Sequence, residues 1–367
     1  MKTKVLSLLY TCFVLLTASL LPAQDLHFSQ FYENPSLLNP ALAGAADPVK
    51  AALTYKDQWR SVSAPYKTFG ATIETRFNQS NWEQVDKFRS MTFKQKSTSR
   101  LAMGFSVYSA SAGDGKMGIT QGNLTLATFV PISKKSFFSL GLQGSLSQRR
   151  LDESKLIFPN QYNGTGYDQN VASQENFSNS NFSYGDVSAG ILWSYASEER
   201  RLNANKQLKA RLGFATYHLN QPKQHFLNSS NLLYRRYVIH GDLLSSFPGS
   251  QLAIAPSFLA QFQGSAQEIQ AGAMLKYFTN GASKYTGIVK RNVLGCGLYY
   301  RNKDAVIVAL LLEWQETYAV GLSYDFNVSR LVAASSSRGG FEITLRYTKP
   351  KPFLYENKQP VNKEDKK

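Results

Sequence analysis

The sequence predicts an all-β protein, a transmembrane antiparallel up-and-down β-barrel of about 14 strands with an N-terminal plug or strap segment. Three observations predict it. Short segments alternate between large apolar and small or polar residues, as strands with one greasy face do. The chain holds 20 Tyr and 23 Phe, many of them at segment ends. Beyond the first two dozen residues no stretch is apolar enough and long enough for a membrane helix.

The elements follow in order. Lys2 and Lys4 precede the apolar run Val5 to Leu21, and small Ala23 is followed by polar Gln24 and Asp25. Residues 1–23 therefore read as a secretory signal peptide cleaved after Ala23. Cys12 is no lipidation site, because Leu9, Tyr10 and Thr11 before it lack the small pair such a signal needs. Cleavage leaves Cys296 as the sole cysteine, which rules out an intramolecular disulfide and a cysteine-type zinc site. The formal net charge of +16 becomes +14 without Lys2 and Lys4. That surplus suits outer-membrane lipid and lipopolysaccharide or an acidic protein, while export and the scatter of the cations argue against nucleic acid.

Residues 24–50 carry Asn34-Pro35, Asn39-Pro40 and Asp47-Pro48, which break helices and ladders. His27, Phe28, Phe31 and Tyr32 are costly to leave in water, so the segment must pack on something. The lumen, as a plug, and the periplasmic rim, as a partner-docking strap, are both open to it.

The barrel is expected over residues 51–348, with strands near 51, 67, 100, 118, 136, 185, 209, 234, 251, 267, 290, 304, 316 and 340. Tyr318, Val320, Leu322, Tyr324 and Phe326 oppose Ala319, Gly321, Ser323 and Asp325. Leu101, Met103, Phe105 and Val107 oppose Ala102, Gly104 and Ser106. A β-sandwich alternates too, but strand length and aromatic ends such as Tyr299, Tyr300, Tyr318 and Tyr347 favour a bilayer crossing. With the N-terminus in the periplasm, parity puts the polar stretch Leu151 to Tyr184 outside and the short connections near Pro131, Phe247 and Gln315 inside. The long connection Asn78 to Ser99 falls in the periplasm. Residues 349–367, rich in Lys and Pro, read as a disordered basic periplasmic tail.

Catalytic signatures are missing: no phosphate-binding glycine loop, H-E-x-x-H, EF-hand or G-x-S-x-G elbow occurs. His27, His218, His225 and His240 have no orienting acid that the sequence identifies, and His218 and His240 fall inside expected strands. Glu313 and Glu316 read as turn charges. No enzyme, cofactor or metal is expected. The contact candidates are His27, Phe28, Phe31 and Tyr32 in the N-terminal segment, and Tyr55, Lys56, Trp59 and Arg60 at the outer end of the first strand. The latter group reads equally as a partner anchor or as an aromatic girdle with Arg60 reaching lipopolysaccharide phosphate.

The opening HFSQFYENPSLLNPALAG, the block YKDQWRSV, the middle GFATYHLNQPKQHF and the closing LSYDFNVSRL and GGFEITLRY together resemble the PorP/SprF family. These are outer-membrane proteins of the Bacteroidetes type IX secretion and gliding systems. The resemblance implies a non-enzymatic component that works with other type IX subunits and helps export, dock or surface-attach an adhesin with a C-terminal secretion domain. A diffusion porin or small-solute transporter is the alternative function.

Overall fold

A computed structural model describes residues 28–59, 65–77, 83–84, 93–94, 100–133, 135–168, 170–175, 180–201, 204–226, 229–279, 292–329 and 338–349. In chain order the strands are β1 (Val49–Gln58), β2 (Tyr66–Arg76), β3 (Glu83–Gln84), β4 (Phe93–Lys94), β5 (Leu101–Ala112), β6 (Met117–Pro131), β7 (Ser136–Arg150), β8 (Phe182–Arg201), β9 (Ala204–Tyr217), β10 (Lys223–Phe226), β11 (Ser229–Leu232), β12 (Arg236–Ser246), β13 (Leu252–Gln263), β14 (Ala266–Phe278), β15 (Val293–Arg301), β16 (Ala305–Trp314), β17 (Tyr318–Asn327) and β18 (Arg338–Lys349). Fourteen of them form one closed antiparallel barrel, and β3–β4 and β10–β11 are separate two-stranded hairpins. Every barrel strand pairs with its neighbours in the barrel sequence, and β1 against β18 completes the cylinder from Val49↔Lys349 to Gln58↔Gly340. Closure leaves the barrel itself without a sheet edge, which is what hydrocarbon demands.

Period-two alternation sets the faces. Leu101, Phe105, Leu124, Leu142, Leu298 and Leu312 face outward, while Ala102, Ser106, Asn123, Gln143, Tyr299 and Leu311 are buried inward. At the end where β1 starts and β18 stops, here the terminal end, Tyr277, Trp314, Tyr318 and Tyr347 face out. At the far end Tyr237, Tyr300, Tyr324 and Phe326 do so. The two aromatic bands match the interfacial girdles of membrane barrels. Tyr299 is the exception to the sequence reading: it is 3% exposed and points into the lumen.

The expected strand positions are met closely, with β1 starting at Val49 and β18 reaching Lys349. His218 lies one residue past β9 with φ of 59°, in a turn and not in a strand. The long 151–181 connection lies at the far end, and the short connections after β6, β12 and β16 lie at the terminal end, as strand parity requires. The 78–99 connection, also at the terminal end, contains the β3–β4 hairpin. Among the described residues no helix is long and apolar enough to cross a membrane.

Candidate functional site: the filled lumen

The N-terminal segment occupies the barrel. Its breaker residues produce a chain of short turns, with 3-10 turns at Phe31–Glu33 and Pro40–Leu42 on either side of a helical turn at Pro35–Leu38. Pro35 and Pro40 each begin a turn, where a missing N–H costs nothing. The described part starts at Phe28 near the far end, descends along β1, β17 and β18, crosses the lumen to β6–β9, and leaves at the terminal end into β1.

The first half is held by charge. Glu342, on β18, accepts the Ser29 N–H at 2.7 Å and the Gln30 N–H at 2.9 Å. Lys56, on β1, donates to Ser29 Oγ at 2.8 Å, and Ser29 Oγ donates to Asp325 at 2.8 Å. Arg301 donates to the same Asp325 carboxylate at 2.7 Å, and Gln270 donates to the Ser29 carbonyl at 2.8 Å. The β17–β18 register shifts between Asp325 and Phe326, beside this cluster. Bulges of that kind re-aim side chains. Lower down, Arg346 donates to both oxygens of Glu33 at 3.0 and 2.7 Å and to Glu313 at 2.6 Å. Glu313 is thus an inward ion-pair partner and not the turn charge its sequence context suggests. Asn34 donates to Thr54 at 2.8 Å, and Thr54 and Thr344 share a hydrogen bond of 3.0 Å across the β1/β18 seam.

The second half is held mainly by shape, with charge returning where it leaves the lumen. Asn39 caps the Pro40–Leu42 turn by accepting the Ala41 N–H at 2.8 Å, while its Nδ2 donates to the Ile191 carbonyl at 3.0 Å and lies 3.0 Å from His240 Nε2. The turn sits so close to the wall that a Cβ at Gly141 would strike the backbone of Pro40 and Ala41, and one at Gly190 would strike the Asn39 side chain. Ala41, Leu42 and Ala43 pack there with Ala102, Ala127, Phe129 and Leu192. Glu74 accepts the Ser36 and Gly44 N–H groups, both at 3.1 Å, and Arg76 donates to the Gly44 and Ala45 carbonyls.

The contact candidates fall into three environments. Phe28 and Phe31 are 6% and 5% exposed, and Tyr32 stacks on Tyr299 with centroids 5.6 Å apart. Tyr55 and Lys56 face opposite sides of β1: Tyr55 outward, and Lys56 inward with no exposed surface. Trp59, with φ of 56°, donates its N–H to Gly339 at 2.8 Å and leans on Tyr66. The four therefore do not form one surface group. His27 and Arg60 lie outside the described residues, as do the expected signal peptide and the tail beyond residue 349. An acid beside a histidine, which the sequence does not reveal, is present: Asp186 lies 2.9 Å from His218 Nδ1.

Above the segment a cavity of about 50 Å³ is lined by Phe28, Asn34, Tyr108, Gln143, Tyr217 and Arg236. That is room for a few waters. Among the described residues no cluster of His, Cys, Asp and Glu has the makings of a metal site.

The family model for the type IX secretion system membrane protein PorP/SprF matches residues 21–347. The chain belongs to the PorP/SprF family. Its filled barrel is therefore that of a type IX secretion component, of the kind found in outer membranes. No curated protein matches this PorP/SprF chain. Among solved structures it is similar to the Pseudomonas putida toluene transporter TodX, at 10% identity over 90% of this chain and 95% of that one with a TM-score of 0.40. A Pseudomonas aeruginosa FadL homologue gives 10% identity, 86% and 94% coverage and a TM-score of 0.42. BamA from Haemophilus ducreyi gives 10%, 83%, 70% and 0.38.

Proposed function

We propose that this PorP/SprF barrel is a non-enzymatic docking and export component of the type IX secretion and gliding machinery. In this reading it helps bring an adhesin with a C-terminal secretion domain to the cell surface and hold it there. One observation carries the choice between a docking barrel and a diffusion pore: inward charges that a porin would offer to solutes are spent on the protein's own N-terminal segment. Lys56, Asp325, Glu342 and Arg346 all bond residues 29–33. A lumen filled in this way suits a scaffold that works through its rims.

The protein is exported by a signal peptide cleaved after Ala23 and sits in the outer membrane with its strand termini in the periplasm. The 151–181 connection then faces the medium, where its turns are pre-ordered: Asn163 Oδ1 accepts the Thr165 and Gly166 N–H groups at 3.1 and 2.9 Å. The outward aromatic bands meet lipid and lipopolysaccharide. The 78–99 connection and the basic tail lie on the periplasmic side, within reach of other type IX subunits.

Deleting the protein tests this. Envelope permeability to small solutes should stay near normal while one or a few surface adhesins fail to appear outside the cell, scored by labelling intact cells. Normal adhesin display in the deletion strain contradicts the reading, and a loss of solute uptake with display intact favours the porin. Replacing Trp59 and Arg60 by alanine asks whether the far rim of β1 takes part, through a fall in display at unchanged barrel abundance.

A further inference from the structure

The β1/β18 pair is where the barrel closes on itself, joining residues at opposite ends of the sequence. Its inward side chains are nearly all polar: Lys50, Thr54 and Lys56 on β1, opposite Thr348, Thr344 and Glu342 on β18. Lys56 and Glu342 are direct cross-strand partners, yet their charged atoms are 3.8 Å apart, and the shorter bonds of both run to Ser29 and Gln30. Thr54 and Thr344 have one hydrogen bond between them, and Asn34 supplies the next donor. Arg346 takes Glu33 as its bidentate partner. The Lys56/Glu342 and Thr54/Thr344 rungs and the adjacent Arg346 are thus completed by residues between 29 and 34.

Other walls differ. Between β9 and β12, Arg211 Nε donates to both oxygens of Asp242 at 3.0 Å, a charge pair made directly from strand to strand. Between β7 and β8 the segment meets Gly141 and Gly190, and the inward Asp186 of β8 has His218, not the segment, as its partner.

We propose that residues 29–34 form a clasp on the closing seam. With the segment seated, β1 and β18 share a third element that satisfies their buried charges, and the wall is sealed laterally. With the segment withdrawn, Lys56 and Glu342 lose their short bonds, water reaches the inner face of the seam, and the β1/β18 junction becomes the weakest in the barrel. The cylinder then has a predetermined place to part, whatever the barrel carries.

Purified full-length protein in detergent, in a Cys296→Ser background, provides the test. The readout is the temperature at which the compact barrel converts to the unfolded, slower-migrating form on an SDS gel. The clasp is weakened from the segment side by Ser29→Ala with Asn34→Ala, which leaves every strand untouched. Two disulfides are compared in that background, each between outward-facing cross-strand partners: Leu53→Cys with Leu345→Cys across β1/β18, and Leu140→Cys with Ile191→Cys across β7/β8. The clasp lesion should lower the conversion temperature by several degrees, the seam disulfide should abolish that drop, and the β7/β8 disulfide should leave it in place. Equal rescue by both disulfides, or rescue by neither, overturns the proposal. If the double lesion does not assemble, the single Ser29→Ala variant, which removes one hydroxyl, is read in the same way.

Discussion

The two halves of the N-terminal segment are held in the same lumen by different physics. Residues 29–36 meet β1, β2, β17 and β18 through carboxylates, guanidinium groups and backbone N–H donors, so each contact is directional and each partner is costly to orphan. Residues 39–43 meet β6–β9 mainly through glycine gaps and small apolar side chains, a contact of volume. Charge returns only where Glu74 and Arg76 of β2 bond the backbone of Gly44 and Ala45. Charge fixes where the segment lies along the seam, and shape fixes how closely it can approach the opposite wall. A ligand that displaced residues 39–43 would lose packing and the Asn39 bonds, whereas one that displaced residues 29–33 would strand several buried charges.

The contrast can be broken at three points. The largest effect is expected from Glu342→Leu, which deprives the buried Ser29 and Gln30 N–H groups of their acceptor and Lys56 of one of its two neighbouring carboxylates. Each buried donor left without its partner costs about 1–3 kcal/mol. Denaturant unfolding of the detergent-solubilised barrel measures it, and a loss below about 1 kcal/mol, the size of one ordinary hydrogen bond, would mean water replaces the carboxylate. Next comes Gly141→Val. Its added carbons enter the space of the Pro40–Ala41 backbone, and overpacking of this kind costs about 1–3 kcal/mol. The turn should be pushed off the wall while the clasp on Glu342 holds, so a thiol at Ala41→Cys becomes reactive to aqueous reagents and one at Phe28→Cys does not. Equal labelling of both would show that the halves move as one body. The smallest effect belongs to Asn39→Ala, which removes the turn cap and the donor to Ile191. A lost cap costs about 1 kcal/mol, and thermal unfolding should register that with the barrel otherwise intact.

Much of the fold is legible in the sequence, because period-two alternation is local information and each strand carries it separately. In Phe341 to Tyr347 the outward residues Phe, Ile, Leu and Tyr mark the strand. The same alternation sends Glu342, Thr344 and Arg346 inward, so their placement in the lumen can be read as well. Their partners cannot. Ser29 and Glu342 are 313 residues apart, and nothing local in either stretch points to the other. Lys56 shows how a cluster in sequence misleads: it stands beside Tyr55 and Trp59 in the chain, yet alternation places it on the Thr54 face, buried among carboxylates. Tyr299 misleads in the same way, since a pair of tyrosines at a strand end suggests a girdle, while one of any adjacent pair must face in. The Asp186–His218 pair depends on a positive φ at His218, which residue type does not foretell.

Conductance across a planar bilayer tests the central claim, that the barrel is closed by its own N-terminal segment, most directly. Full-length protein should insert and show almost no steady current, and protein lacking residues 28–45 should insert and conduct, because the strand ladder closes without the segment. Equal, sustained conductance by the two proteins would contradict a lumen filled from within.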